Sequence, residues 1–245
     1  IQTLAAGITN FIVGTKAEIA AMSAVIQADA VAYEVSVADL TSDSAFYSSL
    51  TTAKMTVTDT AANLTGGNAL LASAVDINVS DATTVANATT IRALSAVDGE
   101  VKFSINDTAA NIVAASGVGS LVDAAINVTV TDAVTFAQAA TIIAEVNSGS
   151  TSYSITDVDT NIAVNAAALN GATNIVVTGT TGITSAQAQS LLSATNAGTT
   201  TIALATGTSA QLAALTLGAN DTVTSLTPSD TPTVAQAAAM LAIGA

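Results

Sequence analysis

The sequence predicts an α/β protein, a β/α solenoid of about ten short strand–helix units whose parallel strands follow a leucine-rich-repeat-like layout. Three observations carry that prediction. One ten-residue phrase recurs along the chain, a second phrase alternates with it, and each switches internally from β-branched alternation to an Ala-rich segment with apolar residues three and four apart.

The first phrase reads MTVTDTAANL (Met55 to Leu64), FSINDTAANI (Phe103 to Ile112), YSITDVDTNI (Tyr153 to Ile162) and IALATGTSAQL (Ile202 to Leu212). It sets Leu64, Ile112, Ile162 and Leu212 at steps of 48, 50 and 50 residues. The second reads INVSDATTVANATTI (from Ile77), VTVTDAVTFAQAATI (from Val128), VVTGTTGITSAQAQSL (from Val176) and LTPSDTPTVAQAAAML (from Leu226). It sets Val85, Phe136, Ile183 and Val234 at steps of 51, 47 and 51. FIVGTKAEI (from Phe11) and YEVSVADLTSDSAFYSSL (from Tyr33) are worn copies. Residues 1–52 therefore form diverged N-terminal repeats or a junction, and residues 53–245 regular repeats of about 49 residues per pair.

Each unit opens on a short strand, as in Ile77 and Val79 or Val128 and Val130. Asp or Gly with Thr or Ser follows. A short helix comes next, as in Phe136, Ala140 and Ile143. Turn residues such as NGATN (from Asn170) and NSGS (from Asn147) close the unit. Strand, helix and strand in succession imply a right-handed parallel crossover. Strands repeat at about 4.8 Å and helices prefer about 8–10 Å, so alternate helices are expected on opposite faces of the sheet, with Ala at the contacts.

Half of the residues are hydrophobic, yet only 3% are aromatic and 9% charged, so the core is built from small and branched side chains. Four basic residues (Lys16, Lys54, Arg92, Lys102) face eighteen acidic ones, a net charge of −14, which excludes a basic nucleic-acid surface. Adhesion to anionic lipid is disfavoured for the same reason. No apolar run reaches the ~18 residues of a membrane span. Cys and His are absent, which removes thiolate and His-dependent nucleophilic catalysis and the usual zinc ligands. Asp157 with Asp159, and Asp221 with Asp230, are the carboxylate pairs a glycosidase would need, and they read better as cap and surface groups. GVG (from Gly117) and GTTG (from Gly179) lack phosphate-loop spacing and read as turns. An enzyme is not expected.

The strand-end aspartates Asp59, Asp81, Asp107, Asp132 and Asp157 are the most regular polar feature. An Asp or Thr there caps the following helix, accepting from its first free amides. The alternative is a ladder of stacked carboxylates binding calcium, which takes six to eight oxygens. Thr pairs (Thr56 and Thr58, Thr129 and Thr131, Thr178 and Thr180) can order water as ice-binding faces do, but with Asn78, Ser80, Ser104 and Asn106 intervening they read better as the ordinary β-propensity of Thr on a solvated strand face. An exposed cluster of Phe11, Tyr33, Phe46 and Tyr47 would favour a binding module, although burial is the commoner fate of such rings.

The phrases TDTAANL…AVDINVSDATTVANA and SITDVDTNIAVNAAALNGATNIVVT resemble the repeats of giant, acidic, Cys-free bacterial surface proteins, the surface-layer proteins and repetitive adhesins. The resemblance implies an extracellular, calcium-dependent, self-associating role at the bacterial cell surface. The expected function is that of a structural, self-assembling protein: a surface-layer, fibre or adhesin-stalk segment. Its expected partners are identical chains in a lattice or filament, and cell-surface polysaccharide, with no nucleic acid and no membrane insertion. The alternative is a binding module, an adhesin tip or a carbohydrate or ice binder. The chain begins at Ile1 without Met or leader and closes on the helical phrase TVAQAAAMLAIGA (from Thr233). This favours a processed or longer parent protein, or another molecule over the ends.

Overall fold

A computed structural model describes residues 12–21, 31–49, 54–94 and 100–244. It is a mixed α/β protein in which every strand pairing given for the described residues is parallel. The chain divides into two compact units, Ile1–Ile105 and Asn106–Ala245.

In the first unit, β1 (Ile12–Gly14), β2 (Val31–Val35), β3 (Lys54–Asp59), β4 (Asp76–Thr83) and the start of β5 (Val101–Asp107) lie side by side in chain order. Their register makes one apolar row, Val35 beside Val57, Val57 beside Ile77, and Ile77 beside Val101. Leu40, Leu64, Leu71 and Ile91, fully buried, join Val57 and Ile77 of that row in one core cluster. A register shift between Asn78 and Ala82 bends β4.

In the second unit, β6 (Val128–Val130) pairs with β7 (Thr151–Ser152). From β8 (Ile155–Val158) onward the chain supplies two sheets. One runs in the order β8, β9 (Ile175–Thr178), β11 (Thr200–Ile202), β13 (Thr222–Val223). The other runs β10 (Ile183–Thr184), β12 (Ala205–Gly207), β14 (Leu226–Pro228). Val177 beside Ile202 and Ile202 beside Val223 make an apolar row within this unit.

Consecutive helices pack on one another: Ala61–Thr65 on Val85–Ala93, Ala109–Ala114 on Phe136–Ile142, and Ser209–Ala213 on Val234–Ile243. The expectation that alternate helices take opposite faces is therefore not met. Ala88, Ala109, Ala139, Ala168 and Ala188 are buried within these short helices.

Fourteen strands and eleven α-helices among the described residues do not reduce to ten identical strand–helix units. Leu64, Ile112 and Leu212 are completely buried, but Ile162 is not. Where the first phrase predicts a helix near Asp159, only the 3-10 turn Asp159–Asn161 forms, because Val158 replaces the capping Thr and supplies no side-chain acceptor. The α-helix follows at Ala166–Gly171, capped by Asn165.

Candidate functional site

Helix starts are built on one pattern, Thr followed three residues later by Asn or Gln. Thr60, Thr84, Thr108, Thr135, Thr184, Thr208 and Thr233 each accept the third amide of their helix, from Asn63, Asn87, Asn111, Gln138, Gln187, Gln211 and Gln236. The four Gln members close a capping box by returning a side-chain oxygen to the Thr amide. Thr84, Thr135, Thr184 and Thr233 are a truer alignment of the second phrase than its apolar residues. Ile183 precedes its cap, whereas Val85, Phe136 and Val234 follow theirs.

With Thr in the cap position, the strand-end aspartates have a different task. Asp59, Asp81, Asp132 and Asp157, and Asp230 with them, reach back to the helix of the preceding segment and accept that helix's first amide. Val37 donates to Asp59 Oδ2 (2.9 Å), Ala61 to Asp81 Oδ1 (2.7 Å), Ala109 to Asp132 Oδ1 (2.6 Å), Phe136 to Asp157 Oδ2 (3.0 Å) and Ser209 to Asp230 Oδ1 (2.6 Å). The partners lie 20 to 23 residues apart. A carboxylate at a helix N-terminus satisfies an orphan amide and complements the helix dipole. The reading of Asp as the cap of its own helix is corrected accordingly.

Two kinds of aspartate emerge. Asp59 and Asp157 commit both oxygens. Asp59 Oδ1 accepts from the Thr60 amide (2.8 Å) and Asn63 Nδ2 (2.7 Å), and Asp157 Oδ1 from the Val158 amide (2.8 Å) and Asn161 Nδ2 (2.9 Å). Asp107 Oδ1 has the same pair of donors in Thr108 and Asn111. Burial raises Asp59, and the Asn63 side chain with the Val37 and Thr60 amides outweighs it, leaving its pKa below the ordinary 3.8. Asp81 and Asp132 are exposed and use Oδ1 for the brace. Asp59 and Asp157, with both oxygens taken by N–H donors, are less open to a cation than Asp81 and Asp132. Among the described residues no three acidic side chains gather in a way that could hold a metal ion.

The other candidate carboxylates are also structural acceptors. Asp159 Oδ2 takes the Thr181 (2.8 Å) and Gly182 (2.7 Å) amides, so the GTTG loop gives to a carboxylate the amides a phosphate would need. Asp221 takes the Thr200 (2.9 Å) and Gly218 (3.0 Å) amides. The GVG loop is a turn with Gly117 and Gly119 at φ 135° and 69°, its amides held by Glu145 and Asp123. The Thr array is broken by register, since Thr58 lies beside Asn78.

Of the N-terminal rings, Phe11 lies outside the described residues. Tyr47 is buried, while Tyr33 and Phe46 are half-buried. The three stack edge to face with centroids 5.1–6.3 Å apart, and Lys16 Nζ sits 4.4 Å from the Phe46 centroid and 3.1 Å from Asp43. Beside them a cavity of about 460 Å³ is lined by Lys16, Glu34, Asp39, Asp43 and Tyr47. No helix among the described residues is long and apolar enough to cross a membrane.

No protein-family model, no curated protein and no solved structure matches the chain.

Proposed function

We propose that this chain is a structural, non-catalytic segment of a self-assembling extracellular protein. In this reading it is a β/α solenoid that forms part of a bacterial surface layer, fibre or adhesin stalk. The aspartate brace carries the reading. At five junctions one segment finishes the helix of the one before it, so the polar groups that look most like a reactive site are occupied in joining neighbours. A chain organised this way resists bending and pulling between segments, which is what a surface element under tension needs.

Identical chains are the principal partner, with cell-surface polysaccharide as an anchoring ligand. A surface carrying a net −14 repels its own copies, so divalent cations shared between molecules are the natural bridge. Exposed carboxylates that keep an oxygen toward solvent, such as Asp81 and Asp132, are suited to that role. The bridge is intermolecular, not a ladder inside the fold.

A second reading, a binding module, draws on the 460 Å³ cavity beside Tyr33, Phe46 and Tyr47. Tyr47 lines it with carboxylates and one lysine, and Tyr33 and Phe46 stack on that ring, a set of groups that suits a carbohydrate.

Negative-stain microscopy and sedimentation of the purified chain with calcium and with chelator decide between the two. Ordered sheets or filaments that chelator disperses support the structural reading. A monomer under both conditions removes it, and glycan binding lost on Phe46→Ala would then favour the module.

A further inference from the structure

The chain has only two prolines, Pro228 and Pro232, and both fall in its last strand–helix segment. Their placement bears on how the sheet of β10, β12 and β14 ends. Alternate residues of a parallel strand bond to opposite neighbours. The Ala205 amide donates to Ser225 O (3.0 Å) and the Ser229 amide to Gly207 O (2.8 Å). Residues 225, 227 and 229 therefore turn their backbone groups toward β12, and Leu226 and Pro228 turn theirs to the outer edge.

In earlier segments this outward set receives the next strand. The Ile155 amide donates to Asn174 O (2.8 Å), the Ile175 amide to Thr199 O (2.9 Å) and the Ile183 amide to Leu204 O (3.0 Å). At Pro228 a pyrrolidine ring replaces the donor and fills the space a neighbouring strand would occupy.

Among the described residues β14 pairs on one side only. Beside it the helix Val234–Ile243 leaves Val234 88% and Leu241 75% exposed, over a cavity of about 420 Å³ lined by Leu226, Pro228, Ala237, Met240 and Leu241. An open parallel edge next to apolar surface is an adhesive template, and proline with short strands is a known way of blunting one. β14 is three residues long and β13 two.

We infer that Pro228 guards the outer edge of β14 against parallel strand addition. Self-association, where the proposed function requires it, then uses other surfaces; only this second half rests on that proposal.

The test compares the native chain with Pro228→Thr, and with Pro228→Ala as a second variant should the first misfold. Sedimentation velocity measures association, and hydrogen exchange reads the Leu226 amide. Restoring one ladder bond and removing the ring should lower the concentration at which the variant associates about tenfold. The Leu226 amide should become protected in the associated variant and stay unprotected in the native chain, even where the native chain polymerises. A native monomer beside an associating variant would support the guard while removing the polymer reading. Equal association of native and variant chains, or a protected Leu226 amide in native polymers, would overturn the guard itself.

Discussion

Asp157→Ala is the sharpest test of the brace. Asp157 is 8% exposed and accepts three N–H groups: the Phe136 amide in the preceding helix, the Val158 amide and Asn161 Nδ2. Truncation strands all three. The Phe136 amide is in a buried setting, where an unmet donor costs about 1–3 kcal/mol. The other two donors are part-buried, and each loses a charge-assisted bond that water replaces in part, for roughly 0.5–1 kcal/mol apiece. The sum is about 2–5 kcal/mol. Asp81→Ala removes the 2.7 Å bond from the Ala61 amide at an exposed carboxylate, and should cost about 0.5–1 kcal/mol, the range of an ordinary cap. Urea unfolding at pH 7, followed by circular dichroism, measures both variants against the native chain. Losses that agree within about 0.5 kcal/mol would refute the distinction between saturated and half-committed aspartates.

Gly149→Ala and Gly198→Ala should each destabilise by about 1–3 kcal/mol in the same assay, because a Cβ would overlap Asn127 and sit 2.6 Å from Ile126 O, or overlap Asn174 and sit 2.7 Å from Thr173 O. Asp59 and Asp230 both have folded pKa values below the ordinary 3.8, the latter through the Ser209 hydroxyl and amide. Their contribution is therefore present above about pH 4 and is lost as pH falls through the lower folded values; denaturant titrations from pH 7 to 2 should show that decline, and Asp59→Asn with Asp230→Asn should flatten it. Asp132→Asn should speed hydrogen exchange at the Ala109 amide, one helix upstream, while the helix Phe136–Ile142 that follows Asp132 in sequence keeps its protection behind Thr135 and Gln138; faster exchange confined to Phe136–Ile142 would count against the brace.

Strands were legible because β-branched alternation is local. Val57, Ile77 and Ile155 sit inside, as their period of two requires. The Thr caps were written just as locally, in the Thr-x-x-Asn and Thr-x-x-Gln pattern, but apolar residues gave a misleading alignment at Ile183, two positions from its true counterpart, Ser185. The brace was not legible. Its donor and acceptor are 20 to 23 residues apart, and nothing in an Asp-Thr pair says that the Asp faces backward. The missing helix at Asp159 was readable in hindsight from one residue, Val158, which stands where a hydroxyl is needed. Which helices pack together, Ala61–Thr65 with Val85–Ala93 for one, is a tertiary outcome that periodicity does not encode.

The brace also changes what a repeat means in this chain. In a plain stack, neighbouring segments share apolar surface, and the surface tolerates sliding because dispersion and burial are non-directional. A hydrogen bond from a helix's first amide to a carboxylate in the next segment is directional. It fixes register along the strand, since a slip of one residue would turn Asp157 away from Phe136 and bury an unmet amide. Register is thus held twice, by the apolar row from Val177 through Ile202 to Val223 and by the carboxylates at the strand ends. The two devices fail differently: acid removes the carboxylates, while cooling and denaturant weaken the row. The break in the pattern at Gly207 follows the same logic. Gly207 stands where a brace would come for the helix that begins at Ser185. The space that a side chain there would take is already occupied: a methyl group on Gly207 would sit 3.0 Å from Ser185 Oγ and 3.2 Å from Gln211 Oε1. At that junction the strand pairing of Ala205 and Thr206 with Ile183 and Thr184 sets the register without a carboxylate.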